Sequence, residues 1–207
     1  MNDAVYIHPT AEVAADAQIG PGTRIWHQAQ VREGAVIGRD CILGKGVYVD
    51  HHVRLGNGVK VQNYVSIYYG VTLEDGVFVG PHACLITDPY PRALTPDGRL
   101  KGPEDWLRGE VMVGAGASIG AGAVILPDVT IGRHAMIGAG AVVTKDVPDH
   151  GLALGNPARV VGYVCICGHR LERETQGPAR ANGRASYRCT ACARTYLLPL
   201  IEEERGE

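Results

Sequence analysis

Val31-Arg-Glu-Gly-Ala-Val-Ile37-Gly-Arg-Asp-Cys-Ile-Leu43-Gly-Lys-Gly-Val-Tyr-Val49 carries an aliphatic residue at every sixth position. Followed outward, the beat starts at Ile7 and passes through Val13, Ile19 and Ile25. Beyond Val49 it continues through Leu55, Val61, Ile67, Leu73, Val79 and Leu85. It resumes in a new register at Val113, Ile119, Ile125, Ile131, Ile137 and Val143. Two places before each of these aliphatics stands a small or β-branched residue, such as Thr23, Ala29, Ala35, Cys41, Ala117 or Ala135. Alternate residues of a strand share a face, so both positions of the hexad point inward. A period of six is the mark of a parallel β-helix, with about three hexads, or 18 residues, closing one triangular coil. Glycines follow many of the aliphatics, as at Gly20, Gly38, Gly44 and Gly56. They are expected at the corners, in backbone conformations with positive φ.

Bulk properties narrow the class. The 207 residues suit one or two domains, and 45% hydrophobic content is ordinary for a soluble protein. Twenty Lys and Arg against 22 Asp and Glu leave a net charge of −2. That balance argues against nucleic acid or an anionic membrane as a partner. Aromatics are scarce at 6%, as a narrow prism filled by branched side chains requires. No apolar run is long enough for a transmembrane helix, and the N-terminus lacks a charged-then-apolar signal. A cytoplasmic location is therefore expected, with the six cysteines reduced or metal-bound.

The beat also marks the domains. Residues 1–160 are expected to form the β-helix, interrupted by a loop at 88–111. That segment is rich in proline, glycine and charge, and long irregular loops are frequently functional. Residues 161–207 lose the hexads and carry four cysteines, so they are expected to form a second, small module. Stacked coils need capped ends and leave flat outer faces prone to pairing, so an oligomer is expected.

The hexads, together with Ile137-Gly-Ala-Gly-Ala-Val-Val-Thr-Lys-Asp-Val-Pro148 and Gly155-Asn-Pro-Ala-Arg159, closely resemble the hexapeptide-repeat acyltransferases. The resemblance implies an all-β, left-handed parallel β-helix, a homotrimer, and acetyl-coenzyme A bound between neighbouring subunits. Thr23-Arg-Ile-Trp-His27, Val59-Lys-Val-Gln-Asn63, Val65-Ser-Ile-Tyr68 and Gly70-Val-Thr-Leu-Glu-Asp75 narrow it further. They are similar to N-acetyltransferases of nucleotide-linked 3-amino sugars, which make the acetamido sugars of bacterial surface polysaccharides. One branch of that group uses UDP-linked amino glucuronic acids, another dTDP-linked 3-amino-3,6-dideoxyhexoses. At the loop, Asp88 and Pro91-Arg92 fit the family pattern, while Thr87 stands where the family carries an asparagine that helps hold the sugar.

Acetyl transfer to an amine needs a neutral amine, a stabilised thioester oxygen and alignment of the two reactants. Asp88, at the loop mouth, could orient the amine; a turn-capping aspartate before Pro89 is the structural alternative. His82, beside the loop, could accept a proton. His27, Gln62, Asn63, Tyr68 and Thr87 are candidates for sugar contacts, although asparagine also stacks in β-helix corners. Arg92 could pair with a phosphate or a sugar carboxylate. For coenzyme A, backbone near Gly116, Ala117 and Ala139 would line the pantetheine, and Lys145 and Arg159 could meet its phosphates.

The second module has its own signature. Cys165-Ile-Cys167 and Cys189-Thr-Ala-Cys192 form two close pairs suited to a structural Zn²⁺ site of the ribbon kind, with His169 able to replace one thiolate. Among rival functions, a zinc carbonic anhydrase of the same architecture needs a pair of histidines four residues apart. The eight histidines offer no such pair. O-acetylation of a hydroxyl by the same fold, and a non-catalytic scaffold, are the remaining alternatives.

Overall fold

A computed structural model describes residues 3–174 and 183–201. Parts of the expected 161–207 module, residues 175–182 and 202–207, lie outside this range. Among the described residues the strands build three parallel sheets of nine, seven and six strands, here called faces A, B and C. The nine include an antiparallel hairpin strand, Ala158–Tyr163, that closes face A. The chain visits A, B and C in turn, so each coil is a three-sided rung. Partners lie 18 residues apart, as in Tyr6 with Arg24 and Ser66 with Cys84. The expected coil length is therefore the observed one.

The register also measures the insertion. Thr72 pairs with Met112, 40 residues on instead of 18, so 22 residues leave the prism between faces B and C. Strand Val111–Val113 begins at the last residue of the expected loop, because Val111 pairs with Val71. No helix among the described residues is long and apolar enough to cross a membrane.

From Thr23 onward both inward positions of the hexad are buried, whereas in the first coil Ile7 is exposed and Val13 and Ile19 are half-buried. Ile25, Leu43, Ile67, Ile119 and Ile137 are fully enclosed, as are the smaller Ala35, Cys41, Val65 and Ala123. One polar residue joins them. Thr23 donates its hydroxyl to the Gly38 carbonyl at 2.8 Å and accepts the Cys41 N–H at 3.0 Å, so its polar oxygen is satisfied.

The glycines that follow the aliphatics are explained differently from the expectation. Positive φ falls two places later, at Gly34, Gly46 and Gly58, and also at Asp40, His52, Tyr64 and His82. Gly38 needs to be glycine because its neighbours leave no room. A Cβ there would lie 2.5 Å from the carbonyl oxygen of Gly56 in the next coil. The corner proper also carries side chains in the left-handed region, and one of them, Tyr64, stacks on His82 of the next coil.

The C-terminal part is a three-stranded antiparallel sheet of Leu171–Arg173, Arg184–Cys189 and Thr195–Pro199. Its small core includes Tyr163, Leu171, Tyr187, Cys189 and Leu198.

Candidate active site at the B–C edge

The 18-residue rung stacks residues into columns. Along the edge between faces B and C, one column reads Arg32, Asp50, Tyr68 and Ile86, and the next reads Glu33, His51, Tyr69 and Thr87. The chain then departs into the loop at Asp88. The loop folds back, so that Gly109 N–H donates to the Thr87 carbonyl at 2.8 Å and the Arg108 guanidinium lies 4.4 Å over the Tyr69 ring. Between column and loop lies a cavity of about 660 Å³. Arg32, Asp50, His51, Tyr68, Tyr69, Thr87 and Asp88 form its floor, and Pro103, Trp106, Leu107 and Arg108 its outer wall.

Asp50 is the most heavily hydrogen-bonded side chain of this wall. Its Oδ1 accepts from the Tyr48 hydroxyl at 2.9 Å, and from the His51 N–H and His51 Nδ1 at 2.8 Å each. Its Oδ2 accepts the Tyr69 N–H at 3.2 Å. Arg32 adds an ion pair at 3.5 Å. Burial opposes the charged carboxylate, but the bonds from the His51 ring and backbone, from Tyr48 and from Tyr69 outweigh it. They hold the Asp50 carboxyl below its ordinary range. An ionised carboxylate only accepts, so the His51 Nδ1 that faces it carries a proton, and in the neutral ring the lone pair then belongs to Nε2. The ring is also fixed by stacking on Tyr69 at 4.7 Å.

Asp88 is unlike Asp50. Its Oδ1 accepts the Tyr90 N–H at 2.9 Å in a local turn. Its Oδ2 is buried and has no hydrogen-bond partner. A buried carboxylate oxygen without a donor is costly, unless a donor arrives with a ligand. Cys84 also lines the cavity, but burial pushes its thiol up, which removes it as a ready nucleophile.

The loop is internally braced. Arg99 grips Asp105 with two bonds of 2.8 Å, Asp105 also accepts the Gly102 N–H, and Leu94 bridges Leu100. Lys101 sits 5.4 Å over Trp106.

The expected site residues divide by edge. Tyr68, Thr87 and Asp88 come together in the cavity. Arg92 does not join them; it is exposed and bonds the neighbouring Pro91 carbonyl. His27, Gln62 and Asn63 meet at the A–B edge, in a separate groove of about 360 Å³. Asn63 acts there as a corner brace, accepting the Lys45 N–H at 2.9 Å. His82 is on the same A–B edge, stacked 5.3 Å from Tyr64, and is not a wall of the cavity. The candidates for coenzyme A are spread out: Gly116 and Ala117 at the C–A edge, Ala139 at A–B, Lys145 at B–C and Arg159 on the closing hairpin. Ala117 is fully buried as a whole residue, so neither its side chain nor its backbone is open to a ligand in the single chain.

Sequence reasoning does not reach His51 and Asp50; the histidines it singles out are His82, beside the loop, and His27, at a coil corner. The available signal was the period itself. Counting 36 residues back from Thr87 lands on His51, directly below the loop mouth in the same column.

In the C-terminal part of the chain the sulfurs of Cys165, Cys167, Cys189 and Cys192 lie within 4.8 Å of one another. His169 Nδ1 is 3.6 Å from Cys167 Sγ, beside this cluster.

The bacterial transferase hexapeptide (six repeats) family matches residues 16–51, 34–67 and 110–145. A dTDP-3-amino-3,6-dideoxy-alpha-D-galactopyranose 3-N-acetyltransferase of Aneurinibacillus thermoaerophilus is 40% identical over 64 residues, 31% of this chain and 33% of that protein. Among solved structures, a histidine-to-alanine variant of the GDP-perosamine N-acetyltransferase of Caulobacter crescentus, in complex with CoA and GDP-perosamine, aligns with a TM-score of 0.51 and 25% identity. That alignment covers 76% of this chain and 56% of the other. The acetyltransferase domain of PglB from Neisseria gonorrhoeae, in complex with acetyl coenzyme A, aligns with a TM-score of 0.50 and 26% identity, covering 77% and 58%. The chain thus spans about a third of the first relative and little more than half of these solved neighbours.

Proposed function

We propose that this chain, whose residues 16–67 and 110–145 match the bacterial transferase hexapeptide repeat and whose fold is similar to a perosamine N-acetyltransferase, is an acetyltransferase acting on an amino sugar. In this reading the acetyl group comes from acetyl-coenzyme A and goes to the 3-amino group of a nucleotide-linked sugar destined for surface polysaccharide. The observation that carries the reading is the buried, unpartnered Asp88 Oδ2, which shares a cavity with the Asp50–His51 pair. Similarity to a dTDP-amino-sugar N-acetyltransferase and to a CoA-bound perosamine N-acetyltransferase supports the substrate class.

Each residue has a distinct task. Asp88 Oδ2 accepts a hydrogen bond from the acceptor amine and points its lone pair at the thioester carbon. His51 Nε2 takes the proton released as the new N–C bond forms and the C–S bond breaks, then returns it to the departing thiolate. Asp50 keeps the His51 ring in the productive tautomer and stabilises its charged form. Tyr68, Tyr69 and Trp106 offer aromatic faces to the sugar or base, and Arg108 offers positive charge to a phosphate. The A–B edge residues His27, Gln62, Asn63 and His82 join the site from a neighbouring copy in a homotrimer, where Lys145 and Arg159 face the coenzyme.

The Asp50–His51 pair also favours a second reading, O-acetylation, because a hydroxyl must lose its proton to a base whereas a neutral amine need not. His51→Ala separates the two. For an amine acceptor the loss in kcat is at the lower end of the base-catalysis range, about 100-fold; for a hydroxyl it approaches about 10,000-fold. An unchanged kcat in His51→Ala contradicts both.

A further inference from the structure

We propose that Cys165, Cys167, Cys189 and Cys192 hold one Zn²⁺ in a closed four-thiolate site, and that the ion rivets the C-terminal module onto the last coil as its cap. This inference stands apart from the acetyltransferase reading, since a metal count requires no turnover.

The donor set fits in chemistry and in size. Four sulfurs at the Zn–S distance of about 2.3 Å, arranged tetrahedrally, lie about 3.8 Å from one another. Here Cys165 Sγ is 3.4 Å from Cys192 Sγ, Cys167 Sγ is 3.5 Å from Cys189 Sγ, and all four fall within 4.8 Å. Two of the four, Cys165 and Cys189, are buried. The residues come from two separate turns. Cys165 and Cys167 follow the hairpin strand Ala158–Tyr163, and Cys189 and Cys192 flank the turn after Arg184–Cys189. The module's core of a few residues is too small to fold without a staple.

Contacts to the solenoid explain what the staple holds. Val164, next to Cys165, donates its N–H to the His150 carbonyl at 2.7 Å, and its own carbonyl meets His150 Nδ1 at 2.9 Å. Tyr196 places its hydroxyl 3.1 Å from Cys165 Sγ and its ring 4.7 Å from the His150 ring. His150 in turn stacks on His134 of the preceding coil at 5.3 Å. A solenoid needs its terminal rung covered, and this chain of contacts runs from the four sulfurs into that rung. Four thiolates close the coordination shell, which marks a structural site rather than a catalytic one with an open position.

The test is elemental analysis of the full chain, purified under reducing conditions from zinc-supplemented culture. One zinc per chain is expected, with only Cys41 and Cys84 of the six thiols free of the metal. Cys192→Ser should lose most of the zinc, and the C-terminal module should become sensitive to limited proteolysis while the solenoid stays resistant. If that variant is insoluble, the wild-type metal count and the number of thiols titrated by a chromogenic disulfide before and after zinc chelation decide the matter. A zinc content below about 0.1 per chain with the four thiols freely reactive overturns the site. So does iron in place of zinc, seen as visible absorption.

Discussion

Asp50 and Asp88 sit in the same cavity wall and are prepared for opposite tasks. Asp50 is saturated by donors, so its charge is fixed and spent on orienting His51. Asp88 keeps one buried oxygen without a donor. Asp88→Asn is predicted to lower kcat/KM for the amine acceptor by about 10- to 100-fold, the worth of a hydrogen bond to a charged group. Steady-state kinetics checks this, and an unchanged kcat/KM would return Asp88 to a turn-capping role. The lowered Asp50 carboxyl has a pH signature. Its stabilisation is present above the unfolded-state value of about 3.9 and is lost as pH falls through the lower folded-state value. The wild type should therefore lose stability below about pH 4, and Asp50→Asn should show a flatter slope there, measured by denaturant titration across pH. Sequence reasoning reached Asp88 because it begins the break in the hexads. It missed His51, whose partner is its own neighbour and whose place below Asp88 appears only when the chain is wound into rungs.

The strand and corner are the unit that the hexad specifies, and here the sequence was most legible. Period six gave the strands, the coil length and the inward faces, because burial on a flat strand is set by alternation. Corners were less legible. The post-aliphatic glycines are glycine for lack of space between rungs, whereas the left-handed positions also accept Asp40, His52 and His82. Two substitutions separate these roles. Gly38→Ala forces a Cβ to within 2.5 Å of the Gly56 oxygen and should lower the melting temperature markedly, whereas Gly58→Asn, at a left-handed corner with open space around it, should cost far less. Ile67→Ala, fully buried in the middle of face B, should cost about 2–5 kcal/mol. The loop was recognisable by its composition, but not its brace. The Arg99–Asp105 pair and the Leu94–Leu100 bridge are contacts that no periodicity announces.

The molecule as a whole places seven of its candidate residues along the two edges that flank face B. His27, Gln62, Asn63 and His82 lie at the A–B edge, and Tyr68, Thr87 and Asp88 at the B–C edge. Tyr6, Trp26 and Phe78, on and beside face A, are exposed. Light scattering on the full chain is predicted to give three times the 22.0 kDa chain mass. A monomer with full activity would remove the A–B residues from the site. The measurement that bears most directly on the function is thiol release from acetyl-coenzyme A, with a panel of UDP- and dTDP-linked 3-amino sugars and their 3-hydroxy counterparts. The account predicts release with at least one amino sugar, none with its hydroxy counterpart, and strong loss in Asp88→Asn. Release with the hydroxy sugar alone, or with no member of the panel, would contradict it.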